Sequence, residues 1–205
     1  MDEKTKNILS LNHKEAMDFF LKSEQYHGFE LPEHFVIDEL LQNVKEAVGD
    51  KPYEECFQEG LSPENLSDVN LEFLLNKDGR YAVRPVILAN PFLYYFLVRE
   101  ICNEKSWTLI KKLFERFLVP HITSCALPII PKNKESFHKS TTILNLWSSM
   151  EQRSIELSLE YRYMFVTDIT NCYGSVNPQA FDWAFSFKDT EHEQKTENPI
   201  AKNIQ

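Results

Sequence analysis

Residues 161–176 read Tyr-Arg-Tyr-Met-Phe-Val-Thr-Asp-Ile-Thr-Asn-Cys-Tyr-Gly-Ser-Val, and this stretch decides the fold prediction. Its first half, Tyr161 to Ile169, is a nearly continuous apolar run with a carboxylate near its end. A short continuous apolar run predicts a β-strand that is buried on both faces. Asp168 is then expected at the end of the strand, where its side chain can face a cleft.

Asp168 has two interpretations from the residues alone. A carboxylate fixed at a strand end can bind Mg²⁺, a hard cation that prefers oxygen ligands and takes the rest of its shell from water and substrate phosphate. Alternatively, the side chain caps the following turn by accepting hydrogen bonds from neighbouring backbone amides, which is a common role of Asp. Spacing alone favours the capping role.

Upstream of this stretch, residues 71–88 predict a β-hairpin. The run that starts at Leu71 leads into the turn cluster Asn76-Lys-Asp-Gly79, and residues 80–88 then resume with β-branched and aromatic side chains. Two short apolar runs around a glycine-containing turn are typical of two antiparallel strands. Arg84 lies between a valine and a proline in the second strand. A purely solvated role is harder to explain at this position than for Lys77 and Arg80 near the turn.

Apolar residues at helical spacing predict the remaining elements. Helices are expected over residues 10–24, 35–48 (with Gly49 as the stop), 91–102, 107–118, 140–160 and 178–186. In the fourth of these, five side chains are expected to face inward: Trp107, Ile110, Leu113, Phe114 and Phe117. Residues 120–134 contain three prolines and predict a loop or an edge strand. Helices together with a hairpin and a further strand indicate the α+β class.

The charge is distributed unevenly along the chain. The net charge is −9, but residues 1–75 hold 17 acids and 6 bases, residues 76–163 hold 8 acids and 13 bases, and residues 164–205 hold 6 acids and 3 bases. The middle part is therefore net basic by 5 charges. A basic region is what a polyphosphate chain binds, because neutralised phosphates release their counterions. An ordinary surface of mixed charge remains the alternative.

Composition excludes several classes of protein. Apolar residues make up 42% of the 205 residues, so the chain can bury a core. The N-terminus lacks the apolar segment of a secretory signal, and no run approaches the roughly 18 apolar residues that cross a bilayer. We therefore expect a soluble, cytoplasmic protein without membrane contact. The four cysteines form no close pair, so we expect reduced thiols rather than a zinc site.

Two separated motifs resemble bacterial reverse transcriptases of the defence-associated, abortive-infection "unknown group" branch. Residues 166–176 resemble the first catalytic motif, in which an apolar strand leads to Asp-Ile, an aromatic residue, a small residue and Ser-Val. The following Asp-Trp-Ala at 182–184 also fits this branch. Residues 76–88 and 90–94 resemble the family's fingers hairpin and the helix after it, and residues 147–155 resemble the segment that leads to the first motif. The resemblance covers about residues 65–190.

The resemblance implies a domain organisation. Residues 1–64 would form a helical N-terminal region, residues 65–160 a fingers-like region, and residues 161–205 the start of a right-hand polymerase palm. The activity implied is RNA-directed DNA synthesis, in antiviral defence, with Mg²⁺ as the cofactor. The partners implied are an RNA template, a DNA or RNA primer and deoxynucleoside triphosphates.

Site residues follow from the resemblance by position. Asp168 would be a shared ligand of two Mg²⁺ ions, and the backbone carbonyl of Ile169 an extra ligand. Tyr173 would lie under the incoming sugar and reject a 2′-hydroxyl group. Arg84, with Lys77 and Arg80, would neutralise the triphosphate or the template backbone, since a guanidinium group binds phosphate through a planar set of donors. From the residues alone, Tyr173 could also be a core aromatic, and Lys77 and Arg80 a solvated hairpin tip.

The sequence departs from the family at one decisive point. An enzyme of this class needs a second turn with adjacent aspartates, and no Asp-Asp pair occurs in the 205 residues. A Pro-Gln-Gly-type segment that contacts template and nucleotide is missing as well. We expect both downstream of Gln205, so that the chain is a fragment without polymerase activity of its own. The alternatives are a catalytically dead module that binds RNA or protein, and a helical structural protein with a chance motif match.

Overall fold

The structure is a computed structural model that describes residues 5–29, 31–32, 34–57, 63, 67–77, 79–122, 124, 127–131, 139–169, 172–177 and 179–186. Its elements in chain order are β1 (Thr5–Asn7), α1 (His13–Phe20), α2 (Ser23–Tyr26), α3 (Ile37–Val48), β2 (Leu71–Asn76), β3 (Val83–Leu88), α4 (Pro91–Ile101), α5 (Glu104–Arg116), β4 (Ile129–Pro131), α6 (Lys139–Glu160) and α7 (Gln179–Ser186). Helices combined with small antiparallel sheets confirm the predicted α+β class. Among the described residues, no helix is long and apolar enough to span a membrane.

The chain divides into two compact units. Residues 14–103 form one unit, and residues 1–13 together with 104–205 form the other. The first unit carries most of α1, then α2, α3, the β2–β3 hairpin and α4, whereas the second carries β1, β4, α5, α6 and α7. The domain boundaries predicted after residues 64 and 160 stay predictions.

The helix predicted over residues 10–24 is two helices, α1 and α2. The break is stabilised by a residue from α3, because the Asp38 carboxylate accepts hydrogen bonds from the Ser23 amide at 2.8 Å and from the Ser23 hydroxyl at 3.1 Å. A carboxylate at a helix N-terminus satisfies an amide that has no partner within the helix. The predicted α3 is confirmed, and it stops at Gly49 with a φ of +54°, which favours glycine.

The predicted hairpin is confirmed over Leu71–Asn76 and Val83–Leu88. Its register pairs Leu71 with Leu88 at the base and Asn76 with Val83 near the turn. The Asn76 side chain accepts a hydrogen bond from the Gly79 amide at 2.7 Å, and Gly79 has a φ of +74°. The turn chemistry at these two positions therefore accounts for the chain reversal.

The core of the unit formed by residues 14–103 consists of two clusters. In the first, α3 meets α4 through Val44, Val48, Tyr95 and Phe96. The second comprises Tyr26, Ile37 and Leu41, with Leu31, Leu88 and Tyr94 packed against it. Leu88 belongs to β3, so the base of the hairpin is anchored to the helices.

The buried residues of the other unit include Trp107 of α5. Trp107 is buried, and its indole N–H donates a hydrogen bond of 3.0 Å to the Leu11 carbonyl. The preceding strand β1 pairs with β4 in antiparallel register, from Thr5 opposite Pro131 to Asn7 opposite Ile129. Residues 120–134 therefore include a short strand, as one of the two expectations had it. The inward face predicted for the helix over residues 107–118 is wrong at Phe114 and Phe117, which are 47% and 50% exposed, and α5 ends one residue before Phe117.

The buried strand predicted over residues 161–169 is not present. These residues lie in neither helix nor strand, and all of them are exposed, with Phe165 at 90% and Tyr163 at 87%. A strand forms only by pairing with another strand, and within the described residues the paired strands are β1 with β4 and β2 with β3. The flanking helices, α6 and α7, are confirmed close to the predicted bounds.

Candidate functional site

The predicted phosphate-binding residues lie on the β2–β3 hairpin. Arg84 is opposite Leu75 in the register. The Lys77 amide donates a hydrogen bond of 3.0 Å to the Ala82 carbonyl, so the ladder continues for one step beyond the strands. Lys77, Arg80 and Arg84 are all exposed. The hairpin therefore brings the three cations together near its turn.

The two faces of the hairpin differ in their contacts. Opposite residues in an antiparallel pair share a face, so Phe73, Val86, Leu75 and Arg84 lie on one side. Phe73 and Val86 are partly buried, and the Phe73 ring lies 5.5 Å from the ring of Phe29. Arg84 lies on the same face as Phe73 and Val86 but nearer the turn, where the side chains are exposed. A phosphate group could reach its guanidinium group there.

The base of the hairpin is fixed to the start of α4 by two asparagines. The Asn70 side chain accepts a hydrogen bond from the Asn90 amide at 2.8 Å. The Asn90 side chain caps α4 by accepting from the Phe92 amide at 3.0 Å, and it donates to the Val69 carbonyl at 3.3 Å. Pro91 follows at the first helical position, where its missing N–H costs nothing. These contacts set where the hairpin, and so Arg84, projects from α4.

Asp168 lies in an exposed segment without regular secondary structure. Its Oδ1 atom accepts a hydrogen bond of 2.8 Å from the Ile169 amide. This contact is of the local kind that the capping interpretation describes. Oδ2 of Asp168 and the Ile169 carbonyl are two oxygens at this point that the metal-ligand prediction would use.

The described residues do not assemble a metal centre around Asp168. No group of three or more His, Cys, Asp or Glu side chains in the described part of the chain could hold a metal ion. Hard divalent cations bound by proteins take several oxygen ligands, and a two-metal site needs ligands shared between both ions. A single carboxylate therefore fits one ligand position for Mg²⁺ and does not complete a two-metal site.

The segment after Asp168 forms a turn and a capped helix. Tyr173–Ser175 is a single 3₁₀ turn, in which the Ser175 amide donates to the Cys172 carbonyl at 3.2 Å. The Asn177 side chain accepts a hydrogen bond from the Gln179 amide at 2.9 Å and caps α7. The Tyr173 side chain lies outside the described part of the structure, so its predicted contact with a sugar stays a prediction.

The predicted site residues fall into two groups. Lys77, Arg80 and Arg84 belong to the unit of residues 14–103. Asp168 and Tyr173, together with Ile169, belong to the other unit. Within each group the residues are close along one hairpin or one short segment. Their roles in a common site stay predictions.

Sequence reasoning missed two exposed apolar surfaces. One is the second face of the hairpin, where Leu74, Val83 and Ile87 are 67%, 57% and 63% exposed. The other runs from α6 through residues 161–169 and contains, among others, Trp147 at 64% and Phe165 at 90% exposure. The signal for the second surface is the continuous apolar run at residues 161–169, which predicts a buried strand, whereas these residues are exposed in the structure.

A further concave surface lies beside α2 and α3. It has a volume of about 300 Å³ and is lined by Ser23, His27, Leu31, Pro32, Phe35, Val36, Ile37 and Asp38. The oxygens of Asp38 are engaged by Ser23, and the His27 Nδ1 atom lies 2.6 Å from the Phe29 carbonyl. These polar groups stabilise the local chain path. None of the predicted site residues lines this surface.

No protein-family model matches the chain, and no curated protein matches it at a significant level.

Proposed function

We propose that the chain is the fingers and first-motif part of an RNA-directed DNA polymerase that acts in antiviral defence. The observation that carries the proposal is the order of two motifs in the sequence, the basic hairpin at 76–88 and the Asp168-Ile169 motif followed by Tyr173. The hairpin and the helix after it adopt the secondary structure predicted from those residues. The positive balance of residues 76–163 also supports contact with a phosphate backbone.

Arg84 has the central role on the hairpin in this proposal. Its exposed guanidinium group stands where the packed face of the hairpin ends, so a phosphate can approach without displacing core side chains. Lys77 and Arg80, near the turn, would add positive charge without the geometric constraint that a strand imposes. The three cations would hold the template backbone or the triphosphate by charge-assisted hydrogen bonds.

Asp168 would hold Mg²⁺ together with the Ile169 carbonyl, and Mg²⁺ would supply charge neutralisation for phosphoryl transfer. Because the described residues give only one carboxylate at this point, no catalytic step is assigned to the chain alone. The role of Tyr173 would be to exclude a 2′-hydroxyl group by its bulk. The 205 residues should therefore show no primer extension.

The second candidate is a catalytically inactive module that binds RNA. It is favoured by the local hydrogen bond of Asp168 to Ile169 and by the lack of a carboxylate cluster among the described residues. The two functions share the basic hairpin and differ in whether Asp168 takes part in ligand binding. Measurements on the hairpin test both, whereas measurements on Asp168 separate them.

Fluorescence anisotropy of a labelled RNA at two salt concentrations tests the hairpin. Binding should weaken with salt, and Arg84→Ala should weaken it further and lower the slope of log K against log salt by about 1, which corresponds to one lost phosphate contact. Lys51→Ala is the matched control, because Lys51 is an exposed cation that belongs neither to the hairpin nor to the basic stretch 76–163. Salt-independent binding, or equal effects of both variants, would contradict the proposal. No binding at all would favour a helical structural protein.

Binding of a deoxynucleoside triphosphate to the protein–RNA complex then separates the two functions. The polymerase proposal expects Mg²⁺-dependent binding that Asp168→Asn abolishes while RNA affinity is retained. The inactive module expects RNA affinity with no effect of Asp168→Asn on nucleotide binding. Measurable primer extension by the purified chain would refute the prediction that these residues are inactive alone.

A further inference from the structure

Residues 161–169 form an apolar segment that is exposed in the part of the chain that the structure describes. Tyr163, Met164, Phe165 and Val166 are 87%, 75%, 90% and 75% exposed. A contiguous set of exposed large side chains indicates a surface that another polypeptide covers. The residues are also β-branched or aromatic to a large extent, which favours pairing as a strand.

In one antiparallel register, the charged residues of this segment lie opposite residues of the opposite charge in a second copy of the segment. If two copies pair antiparallel about Phe165, residue 162 of one copy lies opposite residue 168 of the other. Arg162 then faces Asp168 twice, once on each side of a two-fold axis. Both side chains are exposed and able to reach a partner. If the axis passed through Met164 instead, Asp168 would lie opposite Glu160, and the two carboxylates would repel each other. Parallel pairing in register would place each charged residue beside its own copy, so like charges would again be neighbours.

The same register also determines which of the remaining side chains lie on each face of the paired strands. Side chains alternate across a strand, so Tyr161, Tyr163 and Phe165 share one face, and Phe165 meets its own copy at the axis. Met164 lies opposite Val166 on the other face, between the two charge pairs. Cross-strand pairs of aromatic, apolar and oppositely charged residues each stabilise a sheet.

We propose that two copies of the chain dimerise by antiparallel pairing of residues 161–169 about Phe165, with reciprocal Arg162–Asp168 ion pairs. The occupant of the exposed segment is a second copy, because Arg162 and Asp168 lie three residues on either side of Phe165 and are therefore complementary to the same residues of another chain. A two-fold axis makes such an interface closed, so it yields dimers rather than fibres. The proposal does not depend on the polymerase function, and a dimer of this kind would engage the Asp168 carboxylate.

The dimer should be weak and dependent on concentration. Two paired nine-residue segments bury less than the roughly 1,600 Å² of a standard stable interface. Sedimentation velocity across the micromolar range is therefore the suitable measurement for the full 205-residue chain.

Charge exchange tests the register. Arg162→Asp places two aspartates opposite each other at both pairs, and Asp168→Arg places two arginines there, so each variant alone should dimerise at least about tenfold more weakly than wild type. An equimolar mixture should recover a heterodimer, because one chain then carries both acids and the other both bases. Recovery on mixing also shows that the variants are folded. Arg153→Asp and Glu156→Arg are the controls, since they alter an exposed ion pair on α6 and should leave dimerisation unchanged.

Disulfide formation tests the axis. In the proposed register the Cα atoms of a Phe165→Cys pair lie about 4.5–5.5 Å apart, within the range of a disulfide. A Tyr163→Cys pair is offset by four residues, or about 13 Å, and should not cross-link. Wild-type chain oxidised in parallel gives the background of the native cysteines. A monomer at all concentrations, a dimer indifferent to both charge changes, or equal cross-linking at 163 and 165 would overturn the proposal.

Discussion

Arg99 of α4 holds the end of α3 in place, and its replacement should destabilise the protein measurably. Its Nη1 atom donates hydrogen bonds to the Lys51 carbonyl at 2.7 Å and to the Gly49 carbonyl at 3.3 Å. Its guanidinium carbon lies 4.6 Å from the centroid of the Phe96 ring. One side chain therefore satisfies backbone carbonyls at the C-terminus of α3 and stacks on the core. Arg99→Met keeps the aliphatic stem and removes these contacts.

The expected cost follows from these contacts. A hydrogen bond from a charged donor contributes about 1.5–3 kcal/mol, and a partly exposed cation–π contact about 0.5–1 kcal/mol. The Gly49 carbonyl keeps a second donor, the Tyr95 hydroxyl at 3.5 Å, and water can reach part of the vacated space. We therefore expect Arg99→Met to lower the free energy of unfolding by about 2 kcal/mol.

Urea unfolding followed by far-UV circular dichroism measures this loss. With a slope of about 2 kcal/mol per molar urea, the midpoint should fall by about 1 M. Arg153→Met is the matched control, because the Arg153–Glu156 ion pair has side chains that are 53% and 63% exposed and should contribute no more than about 0.5 kcal/mol. If both variants shift the midpoint equally, the role assigned to Arg99 is refuted.

The pKa of Tyr95 gives a second measurement of the same contact. Burial raises this pKa, and the positive charge of Arg99 partly offsets the rise. Arg99→Met should therefore raise the pKa of Tyr95 further in a spectrophotometric titration.

Three further predictions concern single positions. Trp107→Phe removes the indole donor to the Leu11 carbonyl, which keeps the Lys111 ammonium group at 3.4 Å as a second donor, and should cost about 1 kcal/mol in urea unfolding, whereas Trp147→Phe, at an exposed position, should cost little. Burial raises the pKa of the Cys102 thiol from 9.0 to about 12, so above pH 9 the unfolded state loses this proton while the folded state keeps it. The free energy of unfolding should therefore fall as the pH rises above 9, and Cys102→Ala should make that fall less steep. Gly79→Ala forces a side chain into a φ of +74° and should lower the midpoint by an amount equivalent to about 1 kcal/mol, with Gly79→Asn costing less.

Local signals predicted the elements that depend on local chemistry. The hairpin followed from the turn residues Asn76 and Gly79, whose hydrogen bond and positive φ lie within the turn itself. The predicted start of α4 at Pro91 is confirmed, and the structure adds Asn90 as its cap; neither residue needs a distant partner for this role. The end of α3 at Gly49 is of the same kind. In each case the deciding contacts lie within a few residues, so the sequence alone carries them.

Elements that depend on distant partners were predicted poorly. The break between α1 and α2 involves Asp38, which is 15 residues from the Ser23 that it contacts. Pairing of β1 with β4 joins segments more than a hundred residues apart, and three residues are too few for a periodic pattern. Phe114 and Phe117 have helical spacing, but about half of each side chain is exposed. Apolar periodicity predicts which face a helix could bury, and the partner decides whether it does.

The state of residues 161–169 affects both the cation site at Asp168 and the dimer. An apolar run of this composition is stable as a strand only when its backbone groups are paired and its side chains covered. Pairing with additional polypeptide would order Asp168 at a strand end and make a cation site possible, whereas pairing with a second copy would place Arg162 of that copy against the same carboxylate. The two arrangements compete for one side chain. A chain that dimerises through this segment should therefore bind nucleotide through Asp168 less tightly as its concentration rises, and Arg162→Asp, which disfavours the dimer, should remove that dependence.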